Sequence, residues 1–417
     1  MTIPNNEVGV ERERTMALHN PNLSRRSFIV GSATAAMAAG AGIALAGCAS
    51  GGSSASVSAS AQASSSAAPA LEISSEMEEL NAVLLGKDSK IACIIIANQR
   101  GYYDDENLVL NTQVVSGGFP EAMPMLSDGT VDVLPFGSIP TCTYVGQGDD
   151  LVIFGGTVTN GSECVTLIEN KDKYKTAEDF KGKKIACFRM ETGHMVMKSW
   201  LRQQGLKIGK SAEEVDDGSA DVAFILLEGM QAEVAAVENG EVDMCFVNSG
   251  YGYVATQGGK CAIAFQPQDM IGHEFPCCRQ STNRKAFEEK KSQLVKFEIA
   301  NLRAMYDIAN DKEGIIKDIM EYSGQPEDYV EAITYGNDTY VAAMQFEMDP
   351  RTSDVYEFYG DMIANGDIEN NDQSVILEHM DTTIYKTALD TLIERGDNKD
   401  FYEGLVAKFE KNNTTGV

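Results

Sequence analysis

Short apolar runs broken by polar and helical stretches organise the chain from about residue 88 onwards. Residues 91–96, 108–115, 131–134, 151–157 and 165–168 read as strands, and 120–128 and 139–147 between them as helices. That alternation predicts an α/β architecture. Thr176 and Asp179 have the spacing of a capping box opening a short helix, after which a second α/β unit begins. Its strands fall at 185–188, 222–227 and 242–247, its helices near 196–204 and 231–238. Beyond Glu274 the pattern turns helical: Val295, Ile299, Leu302 and Tyr306 line one helical face, and similar stripes recur near 329–346, 355–363 and 384–393. No repeat of fixed period is visible.

The first fifty residues have a different character. Ser24-Arg25-Arg26-Ser27-Phe28-Ile29 sets adjacent arginines directly before an apolar run at 28–46, the arrangement of a twin-arginine export signal. Leu45-Ala46-Gly47-Cys48 closes that run and resembles the lipobox of bacterial lipoproteins, in which the Cys becomes the lipidated N-terminus. The run is rich in Ala and Gly, so it reads as a cleaved signal rather than a membrane span. Residues 49–70 are almost wholly Ser, Ala and Gly and cannot bury enough apolar area to offset the entropy of ordering. The expected organisation is therefore a signal peptide at 1–47, then a lipidated Cys48 with a flexible tether as far as 75. The folded part hangs from the outer face of the cell membrane.

The 34 Lys and Arg against 62 Asp and Glu give a formal charge of -28, which excludes a nucleic-acid partner and favours a self-repelling monomer. Eight of the nine cysteines lie beyond the anchor. Cys93, Cys187 and Cys245 sit inside apolar runs, where a free thiol behaves as a small hydrophobe. No Cys-x-x-Cys occurs, and the adjacent pair Cys277-Cys278 has no role legible in the sequence.

Several stretches then occur in a familiar order. Gly101-Tyr-Tyr-Asp-Asp-Glu-Asn-Leu108 resembles the G-Y-F-x-x-E-G-L stretch of bacterial solute-binding proteins for nitrate, sulfonate, taurine and thiamine-precursor pyrimidines, with Asn107 where Gly is usual. Ser127-Asp-Gly-Thr-Val-Asp132 resembles the family's G-x-V-D, and Gly137-Ser138-Ile139-Pro140 its next loop. Ala177-Glu-Asp-Phe-Lys-Gly-Lys-Lys-Ile185 is similar to D-L-K-G-K-x-I, and Ala235 to Asp243 to A-L-x-x-G-x-V-D. The resemblance, to the nitrate, sulfonate, taurine and thiamine-precursor (NMT1/THI5-like) family, spans about 88–250. It implies a two-lobed type II periplasmic-binding-protein fold, α/β, with mixed sheets flanked by helices and a helical C-terminal part. Lobe one is expected at 88–182 plus 269–417 and lobe two at 183–268, with a small-molecule ligand in the cleft between them. The implied partner is an ABC transporter permease.

In open α/β sheets ligands bind beyond the C-terminal ends of strands. The loops there supply Gln99, Ser138 and Thr159 in the first unit, and Arg189, Glu191, Thr192, His194, Asn248 and Tyr251 in the second. Ser138 and Thr192 are read as helix caps whose neighbouring amides face an anion; the bland reading is that they only satisfy helix ends. Arg189 and His194 favour an anion whereas Glu191, Glu228 and Glu274 suit an amine, so the ligand's charge stays open. Only His194, His273 and His379 follow the signal, with no His-Glu-x-x-His and no Gly-x-Ser-x-Gly. The expectation is a binding protein with no catalytic residue, cofactor or metal; an exported enzyme or a ligand sensor on the same frame is the alternative.

Overall fold

The computed structural model describes residues 71–417. The expected signal at 1–47 with Arg25 and Arg26, and Cys48 with its tether as far as residue 70, lie outside the described residues.

The strands in chain order are β1 Glu78–Leu85, β2 Leu108–Val115, β3 Val133–Leu134, β4 Leu151–Asn160, β5 Ser162–Leu167 and β6 Lys183–Cys187. They continue with β7 Ile208–Gly209, β8 Val222–Leu226, β9 Met244–Asn248, β10 Cys261–Phe265, β11 Pro276–Asn283 and β12 Met344–Phe346. They form two six-stranded sheets, ordered β12-β4-β11-β3-β1-β2 and β10-β5-β9-β6-β8-β7. Both are mixed: β1 runs parallel to β2 and β3, and β6 parallel to β8 and β9, while β11 and β5 pair antiparallel to their neighbours.

One expected strand is a helix. Residues 91–96 lie largely in the helix Ala92–Gln99, in which Ala92 to Ala97 are all buried. A helix covered on every side has no polar stripe, and a short run without a stripe carries no period to tell it from a strand. The first strand is instead β1, which pairs with β2 in continuous register from Glu78 opposite Leu108 to Leu85 opposite Val115. The C-terminal helices appear where the apolar stripes put them except at 329–346, which holds the short helix Glu327–Tyr335 and then β12. Lys291–Asn310 buries Val295, Ile299 and Leu302, and Thr352–Asn365 and Thr383–Arg395 join it in the core of the first sheet. The second sheet is covered on two sides, by an aromatic cluster of Phe180, Phe224, Phe246 and Phe265 and by an aliphatic one around Val165, Val237 and Val247. All eight cysteines of the described residues are free and buried.

The chain crosses from the first sheet to the second between β4 and β5, where Asn160 and Gly161 both take left-handed backbone angles (φ 61° and 92°). Asn160 is fixed there by its backbone N–H on the Phe275 carbonyl (3.0 Å) and by its side-chain oxygen accepting from Phe275 N–H (3.1 Å). Beside the crossing, the Tyr340 hydroxyl donates to the buried carboxyl of Glu163, tying β5 to the segment that leads into β12. Burial pushes the Glu163 pKa up to about 8, against the hydrogen bond from Tyr340. A carboxyl whose folded pKa is raised contributes stability below its unfolded value, about 4.3, and loses it as pH rises through the folded value. Stability should therefore fall between about pH 5 and about pH 8, and Glu163→Gln should flatten that fall. Urea midpoints of both proteins at the two ends of the range check this; equal slopes would contradict it.

Candidate ligand cleft

The loops at the C-terminal ends of β1, β3, β6 and β9 converge on one cavity of about 80 Å³. The first sheet contributes Leu85, Asp88 and Lys90 after β1, Phe136 and Gly137 after β3, and Cys277 and Cys278 from β11; the second contributes Met190, Thr192 and Asn248. A wider cavity of about 340 Å³ shares Leu85, Asp88, Lys90 and Asn248 with it and adds Ser249, Tyr251 and Tyr329. A small, mostly apolar recess thus opens into a larger vestibule of mixed polarity between the sheets.

Lys90 is the cationic group of the recess, with Asp88 beside it. Asp88 ends the turn after β1 by accepting the Lys90 backbone N–H (2.9 Å), and the side chain is then 5% exposed. Among the described residues its ammonium has no hydrogen-bond or ion-pair partner. Burial alone would lower its pKa, but the fields of Cys277, Cys278, Asp88 and Glu191 outweigh burial and the net shift is upward. It stays a cation with three donors unspent, and an anion entering the recess could fill them.

Opposite Lys90 begins the helix Ser138–Gln147. Its cap is Gly137 (φ 78°), and Pro140 stands in its first turn. The leading amides of a helix have no carbonyl within it and carry the positive end of its dipole. Gly137 cannot be replaced easily: a Cβ there would meet Pro140 Cγ at 2.5 Å and Phe119 Cε1 at 2.7 Å, on a backbone that L-residues avoid. Ser138 is the first helical residue rather than the cap, fully buried, with no partner for its hydroxyl.

The helix Thr192–Gln203 on the other sheet behaves differently from expectation. Its cap is Glu191, not Thr192, and the Glu191 carboxylate accepts from Gly193 N–H (2.7 Å) and His194 N–H (2.6 Å). Those amides are therefore spent on the protein's own carboxylate and offer nothing to a ligand anion. Burial would raise the Glu191 pKa, but hydrogen bonding and charge from His194 outweigh it and lower it. His194 is buried with Nδ1 3.3 Å from Glu191, and burial lowers its pKa. The pair braces the helix start from behind and leaves Thr192 to face the recess, its Oγ1 3.8 Å from Cys277 Sγ.

Of the other expected residues, Asn248 lines both cavities and Tyr251 the wider one. Gln99 does not approach them: because 91–96 is helical, Gln99 ends that helix and donates to the Asp318 carbonyl (3.2 Å). Thr159 is buried in a polar cluster within the first sheet, donating to Glu347 (2.8 Å) and accepting from Arg279 (2.6 Å). Arg189 is exposed and lines neither cavity. Lys90, Phe119, Phe136 and the cysteine pair were not anticipated. The one signal for Lys90 was a charged turn, Lys87-Asp88-Ser89-Lys90, directly before an apolar run.

Two mixed sheets joined by strand crossings, with a cavity among the loops at their facing ends, define the periplasmic-binding-protein fold. The chain superposes on the nitrate-binding protein NrtA from Synechocystis PCC 6803 with a TM-score of 0.59 at 14% identity, covering 77% of this chain and 90% of that one. The alkanesulfonate-binding protein SsuA from Xanthomonas axonopodis pv. citri, bound to MOPS, gives 0.54 at 18% identity, covering 74% and 100%. Residues 88–314, more than half of the chain, match the NMT1/THI5 like family, and the chain belongs to it. A curated relative from Escherichia coli (strain K12), named as an aliphatic sulfonates-binding protein, is 32% identical over 88 residues. That alignment spans 21% of this chain and 28% of the relative.

Removing the Glu191 cap should cost stability, since charge-assisted bonds to two buried amides are lost: Glu191→Ala is expected to lower the unfolding free energy by about 2 kcal/mol, and Glu191→Gln by less. Urea denaturation checks both. An unchanged midpoint for the Ala variant would show that the cap contributes nothing.

Proposed function

We propose that this protein is the extracytoplasmic solute-binding component of an ABC import system, holding a small organic anion of the sulfonate type and presenting it to a permease. The observation that carries the reading is the buried ammonium of Lys90, unpaired among the described residues, in a recess lined from both sheets. The unspent N–H groups of Lys90 and the leading amides of the helix Ser138–Gln147 suit a tetrahedral or planar oxyanion head. Phe119, Phe136, Leu85 and Met190 give the head an apolar collar, and the wider cavity toward Tyr251 has room for an organic tail. The names of the sulfonate- and nitrate-binding relatives support this ligand class.

The two sheets with their covering helices are the proposed lobes. β5 lies in the second sheet, which supports a second lobe beginning at the Asn160–Gly161 crossing rather than at residue 183. Closure about the crossings would bring Thr192 and Asn248 onto a ligand held by Lys90. The twin arginines, Cys48 and the Ser/Ala-rich tether support export and lipid anchoring at the outer face of the membrane. Binding in this reading is reversible and non-covalent, with no chemical step.

A thermal-shift series on the full chain against alkanesulfonates, nitrate, carboxylates, amines and pyrimidines tests this. An anion at a hundred times its dissociation constant stabilises by about 2.7 kcal/mol. Sulfonates should raise Tm, and Lys90→Met should abolish the shift while the unliganded variant still unfolds in one cooperative transition. A shift by amines alone, or an undiminished sulfonate shift in Lys90→Met, would overturn the reading.

A further inference from the structure

Cys277 and Cys278 are adjacent in β11, and adjacent residues of a regular strand point to opposite faces of the sheet. Here they do not. The register of β11 against β4 slips between Pro276 and Cys278 and again between Cys278 and Arg279, and these bulges re-aim the side chains. Both thiols consequently line the recess beside Lys90, with Sγ atoms 3.7 Å apart. The other cysteines of the described residues are buried away from it. A solute held by charge alone has no use for two sulfurs at its contact surface.

We propose that Cys277 and Cys278 form a dithiol capture site in the recess for a small thiophilic oxyacid of the trivalent arsenic class. The capture is a condensation: each thiol exchanges its S–H bond for a bond from sulfur to the trivalent centre, each displaced hydroxyl leaves as water with the thiol proton, and no oxidation state changes. Arsenous acid and two thiols thus give a bis-thiolate arsenic hydroxide and two waters. The remaining oxygen points to where Lys90 can donate to it.

The set of neighbours argues for such a centre over a transition metal. A structural zinc site needs about four protein ligands, and the described residues contain no group of three or more His, Cys, Asp or Glu side chains placed for a metal ion. A pyramidal three-coordinate centre needs only two sulfurs and carries its own oxygen. One of the two thiols, Cys277, is also primed for it, whereas the same contact and burial raise Cys278. The hydrogen bond from Cys278 lowers the Cys277 pKa despite burial, Lys90 adds to that lowering, and the thiolate is the reacting form.

The proposal rests on the recess being a ligand site, and the test separates the two ideas. The full chain, reduced with a phosphine, is titrated with sodium arsenite while free thiols are counted and the sulfur–arsenic absorbance is followed. One equivalent should bind with the loss of two thiols. Cys277→Ser and Cys278→Ser should each weaken capture on the order of 100-fold, the cost of losing one arm of a chelate. Cys142→Ser, a buried thiol outside the recess, is the folding control and should bind as the unaltered protein does. No capture, or capture undiminished in both recess variants, would overturn the proposal. Sulfonate shifts are recorded on the same samples: a sulfonate shift without arsenite capture defeats the dithiol site alone, and capture without any sulfonate shift defeats the anion reading alone.

Discussion

A lysine ammonium set in the recess with no carboxylate within ion-pair distance is the feature around which the rest of the cleft is arranged. Burying such a charge costs several kcal/mol unless something compensates. Here the compensation within the chain is indirect. The Cys277–Cys278 pair, Asp88 and Glu191 act through their fields and keep Lys90 protonated without filling its donors. That leaves the charge present and its hydrogen bonds available, which is the condition for holding an anion reversibly. A direct Lys–Asp pair at the same place would be more stable unliganded and would bind less.

The two helix starts at the cleft illustrate how one geometry serves two ends. The helix Ser138–Gln147 begins at a glycine that leaves the leading amides open, whereas Thr192–Gln203 begins at a carboxylate that fills its own. The first sheet thereby presents Lys90 and open helix amides beside Asp88, and the second presents Thr192, Asn248 and Tyr251. Such a division suits a protein whose ligand lands on one lobe and is covered by the other. It also explains why Glu191 and His194, chemically the most suggestive residues of the second unit, are turned inward: Glu191 is spent on two backbone amides and on His194, and His194 on Glu191.

Much of this architecture was legible in the sequence, and each failure has its own physical cause. Strands β2, β4, β6, β8 and β9 fall close to their apolar runs, and the long C-terminal helix has the face that Val295, Ile299 and Leu302 mark. The run at 91–96 misled because a wholly buried helix shows no period, and that error displaced the first candidate, Gln99, to the far end of a helix. The true loop, after β1, holds Lys90, a residue type that composition places on the surface. Both expected caps were off by one residue, Ser138 for Gly137 and Thr192 for Glu191. Cap identity depends on which residue leaves helical backbone angles, and spacing alone does not report that. The cysteine pair needed the bulges in β11, which arise from pairing with β4 and have no local signature.

The most direct measurement is a crystal structure of the protein with the anion that stabilises it most. An oxygen of that anion should lie within hydrogen-bond distance of Lys90 Nζ and of the leading amides of the helix Ser138–Gln147, with Asn248 closing from the other sheet. An anion bound elsewhere, or a ligand in the recess that leaves Lys90 without a partner, would contradict it.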